Sequence, residues 1–479
     1  MSPGIQEPVT NQIKSSGIAT TSLAAIGEAG AEHLSLGVIW AYSLPRIAFG
    51  IMGLLFGTYL MKFSTDVLLI APAVMGSLIA ASRLWDAVSD PLVGYLSDRT
   101  NSKYGRRRSW MFYAAIPMGI GLVMIWSPPT FLEDYGVIIW MGLALLVYET
   151  ASTAFFVPHG AIGVELTPNY HERTRLFGYA HMIGAIGSIL GLISLQFMNM
   201  SEDKRTFALL LSLFAGFCVT SIVLWSTRIL PERRDYQGRG GKNILGSFLD
   251  VFRNKHALLL LVVYAIETFG AASVGMLVPY LVEYVIPMQA MMVPILLTYT
   301  LPQFIFTPMW MKLARIFGKK RLWAFAMWLN AATFFCFFLI LTPGETSIWV
   351  WILSFALGFA AGCGAVVAPS IQADIIDYDE YLTSERKEGA YLAAWNLVRK
   401  SAASVTALVT GLVLQYTGFE PNIEQTEQTQ NAMRALFALL PGICYTVGAL
   451  LFFRFNFNEK EHEEVRQILA ERLISDSRE

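Results

Sequence analysis

The chain has 479 residues, 54% of them apolar and 15% charged, and its mean hydropathy is +0.49. This composition is outside the usual range of soluble globular proteins and is typical of a polytopic membrane protein. A net charge of −1, with basic residues clustered in loops, argues against a nucleic-acid partner. The cysteines lie in apolar runs without C-x-x-C spacing, so no metal or redox centre is expected at Cys218, Cys336, Cys363 and Cys444.

Apolar runs long enough to cross about 30 Å of hydrocarbon predict an all-α membrane protein with twelve transmembrane helices. The predicted spans are 36–59, 67–95, 110–127, 137–162, 176–197, 207–230, 257–285, 291–312, 321–342, 347–372, 389–416 and 432–456. Residues 1–35 contain one lysine and no signal-peptide pattern, and they are expected to form an N-terminal tail. A charged C-terminal tail is expected at 457–479.

The predicted spans form two sets of six, at 36–230 and 257–456, on either side of a basic, glycine-containing segment at 231–256. That segment has the composition of a flexible linker. Together with the ends of the spans that flank them, the even-numbered connections hold 21 lysines and arginines, and the odd-numbered ones hold only Lys62, Lys204, Arg205 and Arg434. By the positive-inside rule, both termini and the linker are expected to be cytoplasmic, and the protein to be a multi-pass protein of the plasma membrane or bacterial inner membrane.

The two sets of six also share a short motif. GRRRSW at 105–110 precedes the third span, and GKKRLW at 318–323 precedes the ninth. Each has a glycine, three bases, a spacer and a tryptophan at an equivalent place. Two ordinary basic turns would explain either one alone. Together with the count of spans, the motifs favour a duplicated transporter with two pseudo-symmetric six-helix bundles.

Eight ionisable residues are predicted near the middle of the membrane, at 1.5 Å of helix per residue. They are Arg46, Arg83, Asp86, Asp90, Glu149, Glu267, Arg399 and Lys400. A charge at the centre of a membrane helix costs roughly 2.5 to 3.5 kcal/mol, so these groups must face partners or a watery cavity. Static ion pairs that fix helix register are one explanation. A carrier with a central polar site that changes partners is the explanation we favour.

Asp86 and Asp90 are separated by one helical turn, so both can turn their oxygens toward one cation. Oxygen ligands suit Na⁺, and a carboxylate can instead take a proton, so the coupling ion stays open between the two. Lys400 is the expected counter-charge, with Arg83 as a second coupling residue. Arg399 is expected to turn away from the cavity, because adjacent helical residues point about 100° apart.

Other side chains in this layer are candidate substrate ligands. Glu149 and Glu267 are expected either to bind substrate, to take a second proton, or to pair with Arg46 or Arg83. His181 is a candidate donor to a substrate hydroxyl, and Trp395 is a candidate stacking surface, although packing is the commoner role of membrane aromatics. The candidate substrate-binding residues are therefore Arg46, Glu149, His181, Glu267, Trp395 and Asn396.

Two longer motifs resemble the glycoside, pentoside and hexuronide cation symporters of the major facilitator superfamily. One is RLWDAVSDPLVG at 83–94, followed by Ser97, Asp98 and Arg99, and the other is ADIIDYDEY at 373–381, followed by Arg386 and Glu388. The second motif is expected in the loop between the tenth and eleventh spans. The resemblance covers nearly the whole chain and implies the major facilitator fold and cation-coupled symport.

In the best-studied, melibiose-transporting branch of that family, a sodium ion is held by two aspartates of the second helix, an asparagine before the second aspartate, and a threonine of the fourth helix. The resemblance places these roles on Asp86, Asp90, Ser89 and Thr153, and places the family's lysine of the eleventh helix on Lys400. Serine in place of asparagine keeps an oxygen with a shorter reach. Sodium is thus one implied ion and a proton the other.

The galactoside contacts of the melibiose-transporting members are absent. An acid of the first helix, an acid of the fourth and an arginine of the fifth correspond here to Gly50, Phe156 and His181. A phenylalanine cannot accept sugar hydroxyls. We therefore expect a sugar, glycoside or uronide that is not a galactoside. The family also contains sodium-coupled lysolipid carriers, and Phe155 beside Phe156 would suit an amphiphile as the alternative substrate.

No catalytic constellation is present. The six histidines form no H-E-x-x-H pattern and there is no phosphate-binding loop, so neither an enzyme nor an ATP-driven pump is expected. No cofactor is expected besides the coupling ion, and a monomer is expected to function in membrane lipid. A transport-like sensor stays an alternative. Alternating access is the expected mechanism, with gating residues at Asp98, Arg106, Arg107, Arg108, Asp374 and Asp377.

Overall fold

The computed structural model describes residues 33–167, 170–232, 251–286, 288–345, 347–383 and 388–456, with short pieces beyond 456. The expected N-terminal tail, most of the linker, the C-terminal tail and Arg386 lie outside the described residues, apart from small parts of each segment. The predicted domain boundaries at these segments therefore stay predictions.

The chain is helical in both halves, and no strand occurs in the described ranges. The first half forms α1 (Leu36–Thr58), α2 (Pro72–Arg99), α3 (Arg106–Trp126), α4 (Tyr135–Glu165), α5 (Tyr170–Met200) and α6 (Lys204–Ile229). The second half forms α7 (Lys255–Tyr280), α8 (Met292–Ile305 and Thr307–Phe317), α9 (Lys319–Ile340), α10 (Trp349–Thr383), α11 (Glu388–Tyr416) and α12 (Glu427–Phe452). A short helix, Leu60–Asp66, follows α1, and a π-helical turn, Leu281–Val285, extends α7.

Ten helices in the described part of the chain are long and apolar enough to cross a membrane, and the bent pair of α8 makes an eleventh. The two pieces of α8 meet at 49°, between Pro302 and Pro308, because proline removes a backbone donor and clashes with the preceding turn. The remaining helix, α2, has 28 residues but contains the charges of the DAVSD motif. Counting α2 as the twelfth span stays a prediction.

The acidic stretch at 374–381 differs from expectation, because it is helical and not a loop. Helix α10 continues to Thr383, well past the expected end at 372. Ile371, Ile375 and Asp379 are all buried, four residues apart, so one face of the helix stays packed beyond the apolar run. A run of apolar residues predicts the membrane-spanning part of a helix. It does not predict an amphipathic continuation of that helix, in which only one face is apolar.

The helix neighbours of the first half recur in the second. Helix α3 packs on α4 and α6, as α9 packs on α10 and α12, and the pairs α1–α5 and α2–α4 recur as α7–α11 and α8–α10. The basic motifs are equivalent in structure as well. Gly105 and Gly318 each precede a helix with φ of 104° and 81°, a conformation that glycine adopts without steric cost.

The two halves meet chiefly where α2 crosses α11. A Cβ added to Gly76 would lie 2.5 Å from the carbonyl oxygen of Ala407, and one added to Gly411 would collide with the backbone of Pro72. We call the face with the α2–α3 and α8–α9 connections the basic side, and the opposite face the far side. The glycine contacts bring the two backbones together on the far side.

Candidate cation and substrate site

The middle of α2 provides the acids of the site. Asp86 lies near the middle of this 28-residue helix, 14 residues after Pro72 and 13 before Arg99, which is about 20 Å along the axis from each end. Asp86 and Ser89 are each only 2% exposed, whereas the side chain of Asp90 is 33% exposed. The pair therefore has one enclosed carboxyl and one that can be reached from outside, as expected of a site that exchanges its ligand.

Helix α4 adds a hydroxyl to the same place. The Oγ1 of Thr153 donates to Oδ1 of Asp90 at 2.9 Å, and Oγ of Ser89 lies 3.4 Å from the same threonine oxygen. Thr153 is 4% exposed. The four residues on which the family's cation ligands were placed, Asp86, Ser89, Asp90 and Thr153, are thus neighbours across the α2–α4 contact.

Lys400 reaches this cluster from α11, in the other half of the chain. Its Nζ lies 2.5 Å from Oδ2 of Asp90 and 3.4 Å from Oδ2 of Asp86. Its neighbour Arg399 is exposed and points elsewhere. The ion pair joins the two halves at mid-depth, so whatever displaces Lys400 also weakens their contact.

Arg83 is shared between two acids. Its guanidinium lies 3.0 Å from Oε1 of Glu149 on α4 and 3.6 Å from Oδ2 of Asp86. Glu149 is 5% exposed. Of the alternatives that the sequence left open for Glu149, pairing with Arg83 is the one seen in this structure.

The ionised cluster has a net charge of −1, because Asp86, Asp90 and Glu149 face only Arg83 and Lys400 within it. One oxygen also lacks a partner. Among the described residues, Oδ1 of Asp86 is enclosed and has no hydrogen-bond donor. An orphaned buried carboxylate oxygen is costly. The donor set therefore fits a monovalent cation, which would supply both the missing charge and the missing contact.

The predicted substrate residues of the first half lie apart from this cluster. Arg46 on α1 is partly exposed, and its Nε is enclosed without a hydrogen-bond partner in the described residues. His181 is exposed on α5. Gly50 contacts the backbone of Gly184 so closely that no side chain would fit, which explains why the acid of the galactoside-binding members has no counterpart there.

Aromatic rings fill the space on α4 where the family has its second galactoside-binding acid. Phe156 packs on Phe49 of α1, with ring centroids 3.7 Å apart, and Phe155 packs on both Phe49 and His159. His159 is stacked on Tyr42 and bonded to its carbonyl oxygen at 3.0 Å. This part of α1 and α4 is apolar and offers no hydroxyl-binding carboxylate.

The predicted substrate-binding residues of the second half differ in their exposure. Trp395 is 5% exposed and stacks on Tyr391 in the core of that half, whereas Asn396 is exposed. Glu267 lies on α7 and is 9% exposed. The structure brings none of these three to the Asp86 cluster, and their role in substrate binding stays a prediction.

The predicted gating residues form ion pairs within each half. Arg107 lies 2.7 Å from Asp98 and 2.8 Å from Glu165, and Arg106 lies 2.9 Å from Glu165. Arg108 donates to the carbonyl oxygens of Thr227 and Arg228. In the second half, Lys319 lies 2.6 Å from Asp374. Asp377 lies near the same end of α10 as Asp374, and a gating role for these six residues stays a prediction.

A polar and aromatic cluster on the far side, which we call the far-side seal, was not predicted from the sequence. It consists of Lys62, Asp66, Tyr280, Glu283, Tyr284 and Asn422. The side chain of Lys62 is 2% exposed, is paired with Asp66 and lies 2.6 Å from Glu283. The i, i+4 spacing of Lys62 and Asp66 was the available signal. Glu283 is more than 200 residues away from Lys62 in the sequence, so no spacing pattern indicated their contact.

Comparison with known proteins places these features in a family. Residues 41–459 match the family described as MFS/sugar transport protein. The chain is 26% identical to the uncharacterized symporter YjmB of Bacillus subtilis, over 92% of this chain and 96% of that protein. It is 22% identical to the putative glycoside/cation symporter YagG of Escherichia coli, over 86% of this chain and 90% of that one.

More distant similarities agree. The chain is 20% identical to sodium-dependent lysophosphatidylcholine symporter 1 of Xenopus tropicalis, over 94% of this chain and 92% of that protein. The fold resembles the crystal structure of the nucleoside transporter NupG, with a TM-score of 0.64, 13% identity, and coverage of 88% and 99%. The predicted major facilitator fold is confirmed, as is the expectation of a transporter and not an enzyme. The chain belongs to the MFS/sugar transport protein family and is a transporter, a multi-pass integral membrane protein.

Proposed function

We propose that Asp86, Ser89, Asp90 and Thr153 bind the coupling cation and that Lys400 competes with it. The observation that carries the proposal is the net charge of −1 in the cluster, together with the unpartnered oxygen of Asp86. A bound Na⁺ or H⁺ would neutralise that charge and release Lys400 from Asp90. Four oxygen-bearing side chains favour Na⁺, since a proton needs only one carboxylate.

The mechanism we propose is alternating access. Among the described residues, the hydrogen bonds and ion pairs between the halves run from Lys400 at mid-depth to the far side, for example from Ser404 to the carbonyl oxygen of Ala80 at 3.1 Å. This structure therefore corresponds to the state closed on the far side. Neutralising Asp90 removes the mid-depth link and lets the halves rock about the α2–α11 contact.

The proposed substrate is a sugar, glycoside or uronide that is not a galactoside. The supporting observations are the close backbone contact at Gly50 and the ring of Phe156 against Phe49, where galactoside-binding carboxylates would have to stand. The name of the Escherichia coli relative supports a glycoside. Saturable uptake of labelled melibiose by the reconstituted protein would contradict the exclusion of galactosides.

A lysolipid or other amphiphile is the second candidate. The aromatic surface of Phe49, Phe155 and Phe156 favours it, because an acyl tail needs apolar contacts and no hydroxyl acceptors. The name of the Xenopus relative supports it as well. The two substrate classes make opposite predictions in a stability screen.

The test is a thermal-unfolding screen of purified protein with Na⁺, Li⁺ or K⁺ at two pH values, each with candidate uronides, glycosides and lysolipids. We expect Na⁺ or Li⁺ to raise the melting temperature of the wild type but not of Asp90→Asn. Trp85→Phe is the matched control, since Trp85 lies on α2 and its Nε1 bonds Thr150 outside the charged cluster. An equal response of Asp90→Asn and wild type to the cation would refute the assignment of the site.

A further inference from the structure

Glu267 differs from every acid of the cation cluster. It lies in the membrane-spanning part of α7, is 9% exposed, and has no hydrogen bond or ion pair with any residue that the structure describes. Asp86, Asp90 and Glu149 each have a basic partner within 3.6 Å. The cation mechanism proposed above makes no use of Glu267.

The surroundings of Glu267 are apolar or weakly polar on each helix that packs against α7. On α12, a Cβ at Gly448 would lie 3.4 Å from Cγ of Glu267, Tyr445 is the titratable group near Glu267, and Cys444 lies beside Gly270 of α7. Helix α11 contacts α7 through Thr406, whose hydroxyl donates to the carbonyl oxygen of Phe269.

The bases on neighbouring helices are directed elsewhere. Lys400 of α11 is engaged with Asp86 and Asp90. Arg46 of α1 lies against Gly184 of α5, and α1 meets α7 near Gly57 and Gly275. Helix α10 has no acid, base or histidine between 349 and 372. No counter-charge for an ionised Glu267 is therefore provided by the described part of these helices.

A buried carboxyl without a counter-charge is stable only in its neutral form, which means with a proton bound. A metal ion is a poor alternative here. Sodium requires several oxygen ligands in place of its water, and among the described residues Glu267 belongs to no group of three or more acids, histidines or cysteines and makes no contact with a serine or threonine hydroxyl like that of Asp90 with Thr153. A proton needs the one carboxyl alone.

We propose that Glu267 is a second proton-binding site, in the second half of the molecule and separate from the Asp86 cluster. Its helix takes part in closing the far side and therefore moves when the far side opens. The far end of α7 and the turn that follows it carry Tyr280, Glu283 and Tyr284 of the far-side seal, about 20 Å from Glu267. Movement of α7 changes the surroundings of Glu267, so that it binds its proton in one state and releases it in the other.

The experiment is infrared difference spectroscopy of the full-length protein in lipid, titrated with protons alone from about pH 5 to about pH 9, a range in which buried glutamates exchange protons. A protonated carboxyl has a carbonyl stretching band that disappears on deprotonation. We expect one such band to shift when glutamate is labelled with ¹³C, to be lost completely in Glu267→Gln, and to be kept in Glu149→Gln. The isotope shift needs no variant, so it remains informative if Glu267→Gln fails to fold.

Two results would overturn the proposal. One is a spectrum of folded Glu267→Gln identical to that of the wild type. The other is a Glu267 band that stays constant over the whole titration, which is the behaviour of a permanently protonated structural group. The titration uses no metal cation or substrate, so its result is independent of the Na⁺ response at Asp90. Either proposal can therefore be contradicted while the other stands.

Discussion

Arg83 occupies a decisive position at the cation site, because it divides its charge between Glu149 and Asp86. The nearer contact, 3.0 Å, is to Glu149, and this contact keeps the guanidinium 3.6 Å from Asp86. A guanidinium that came closer to Asp86 would compete with the bound cation, as any like charge does. Glu149 thus acts on the site through Arg83.

Replacement of Glu149 by glutamine tests that role. We expect Glu149→Gln to let Arg83 swing toward Asp86 and to weaken Na⁺ binding by about tenfold, the equivalent of ~1.4 kcal/mol. Isothermal titration calorimetry with Na⁺ measures the effect. Thr150→Val, which removes the acceptor of the Trp85 bond on the same helix, is the control. Unchanged affinity in Glu149→Gln would mean that Arg83 does not regulate the site.

Spacing and depth were enough to predict the Asp86–Asp90 pair and its approach by Lys400, because an intramembrane charge must have a partner at its own level. They were not enough to predict which acid Arg83 favours. The i, i+3 spacing suggests Asp86, and the nearer partner is Glu149 on another helix. Spacing and depth also do not predict the direction in which a side chain points. The ring of Trp395 lies against Tyr391 in the core of the second half.

Helix α2 and helix α11 approach each other on the far side without side chains between them. Gly76 and Gly411 allow this, because either Cβ would collide with the backbone of the facing helix. The hydrogen bond from the backbone of Ala73 to Gln415, at 3.2 Å, lies at the same end. The sequence displayed these glycines without indicating their partner, since the contact joins residues that are more than 300 positions apart.

An alanine at this crossing is expected to favour the state that is open on the far side. In Gly411→Ala the added methyl group meets Pro72, and the two helices must separate. Spin labels at Phe131 and Ile423, exposed in far-side connections of opposite halves, would report longer distances than in the parent protein. Gly53→Ala is the matched control, because nothing lies within 4 Å of its added Cβ. No change of distance in Gly411→Ala would show that the crossing can relax in place.

At the scale of the whole molecule, the duplicated architecture was predictable and the conformational state was not. The repeated motifs and the six-plus-six count follow from the sequence, and the neighbours of α3 and α9 confirm the repeat. Which side is closed depends on two packings of the same chain that differ by only a few kcal/mol. The far-side seal joins residues of opposite halves in the closed state seen here.

The far-side seal is therefore expected to control the balance between states. Lys62 is buried between Asp66 and Glu283, and the ring of Tyr284 lies 4.5 Å from its Nζ. Breaking a buried ion pair by removing one partner costs about 3 to 5 kcal/mol, because the remaining charges lose their compensation. Lys62→Met leaves Asp66 and Glu283 facing each other in the closed state, whereas opening hydrates both.

We expect Lys62→Met to shift the equilibrium toward far-side opening by at least a hundredfold, and Glu283→Gln to shift it less, because Lys62 keeps Asp66. The same spin-label pair, Phe131 with Ile423, measures the populations. Glu345→Gln is the control for Glu283→Gln, because it removes the same negative charge from an exposed position in the α9–α10 connection. We expect it to leave the populations of the two states unchanged. A far side that stays closed in Lys62→Met would contradict this prediction. It would mean that the α2–α11 crossing alone keeps the far side closed and that the ion pairs of Lys62 add nothing to its closure.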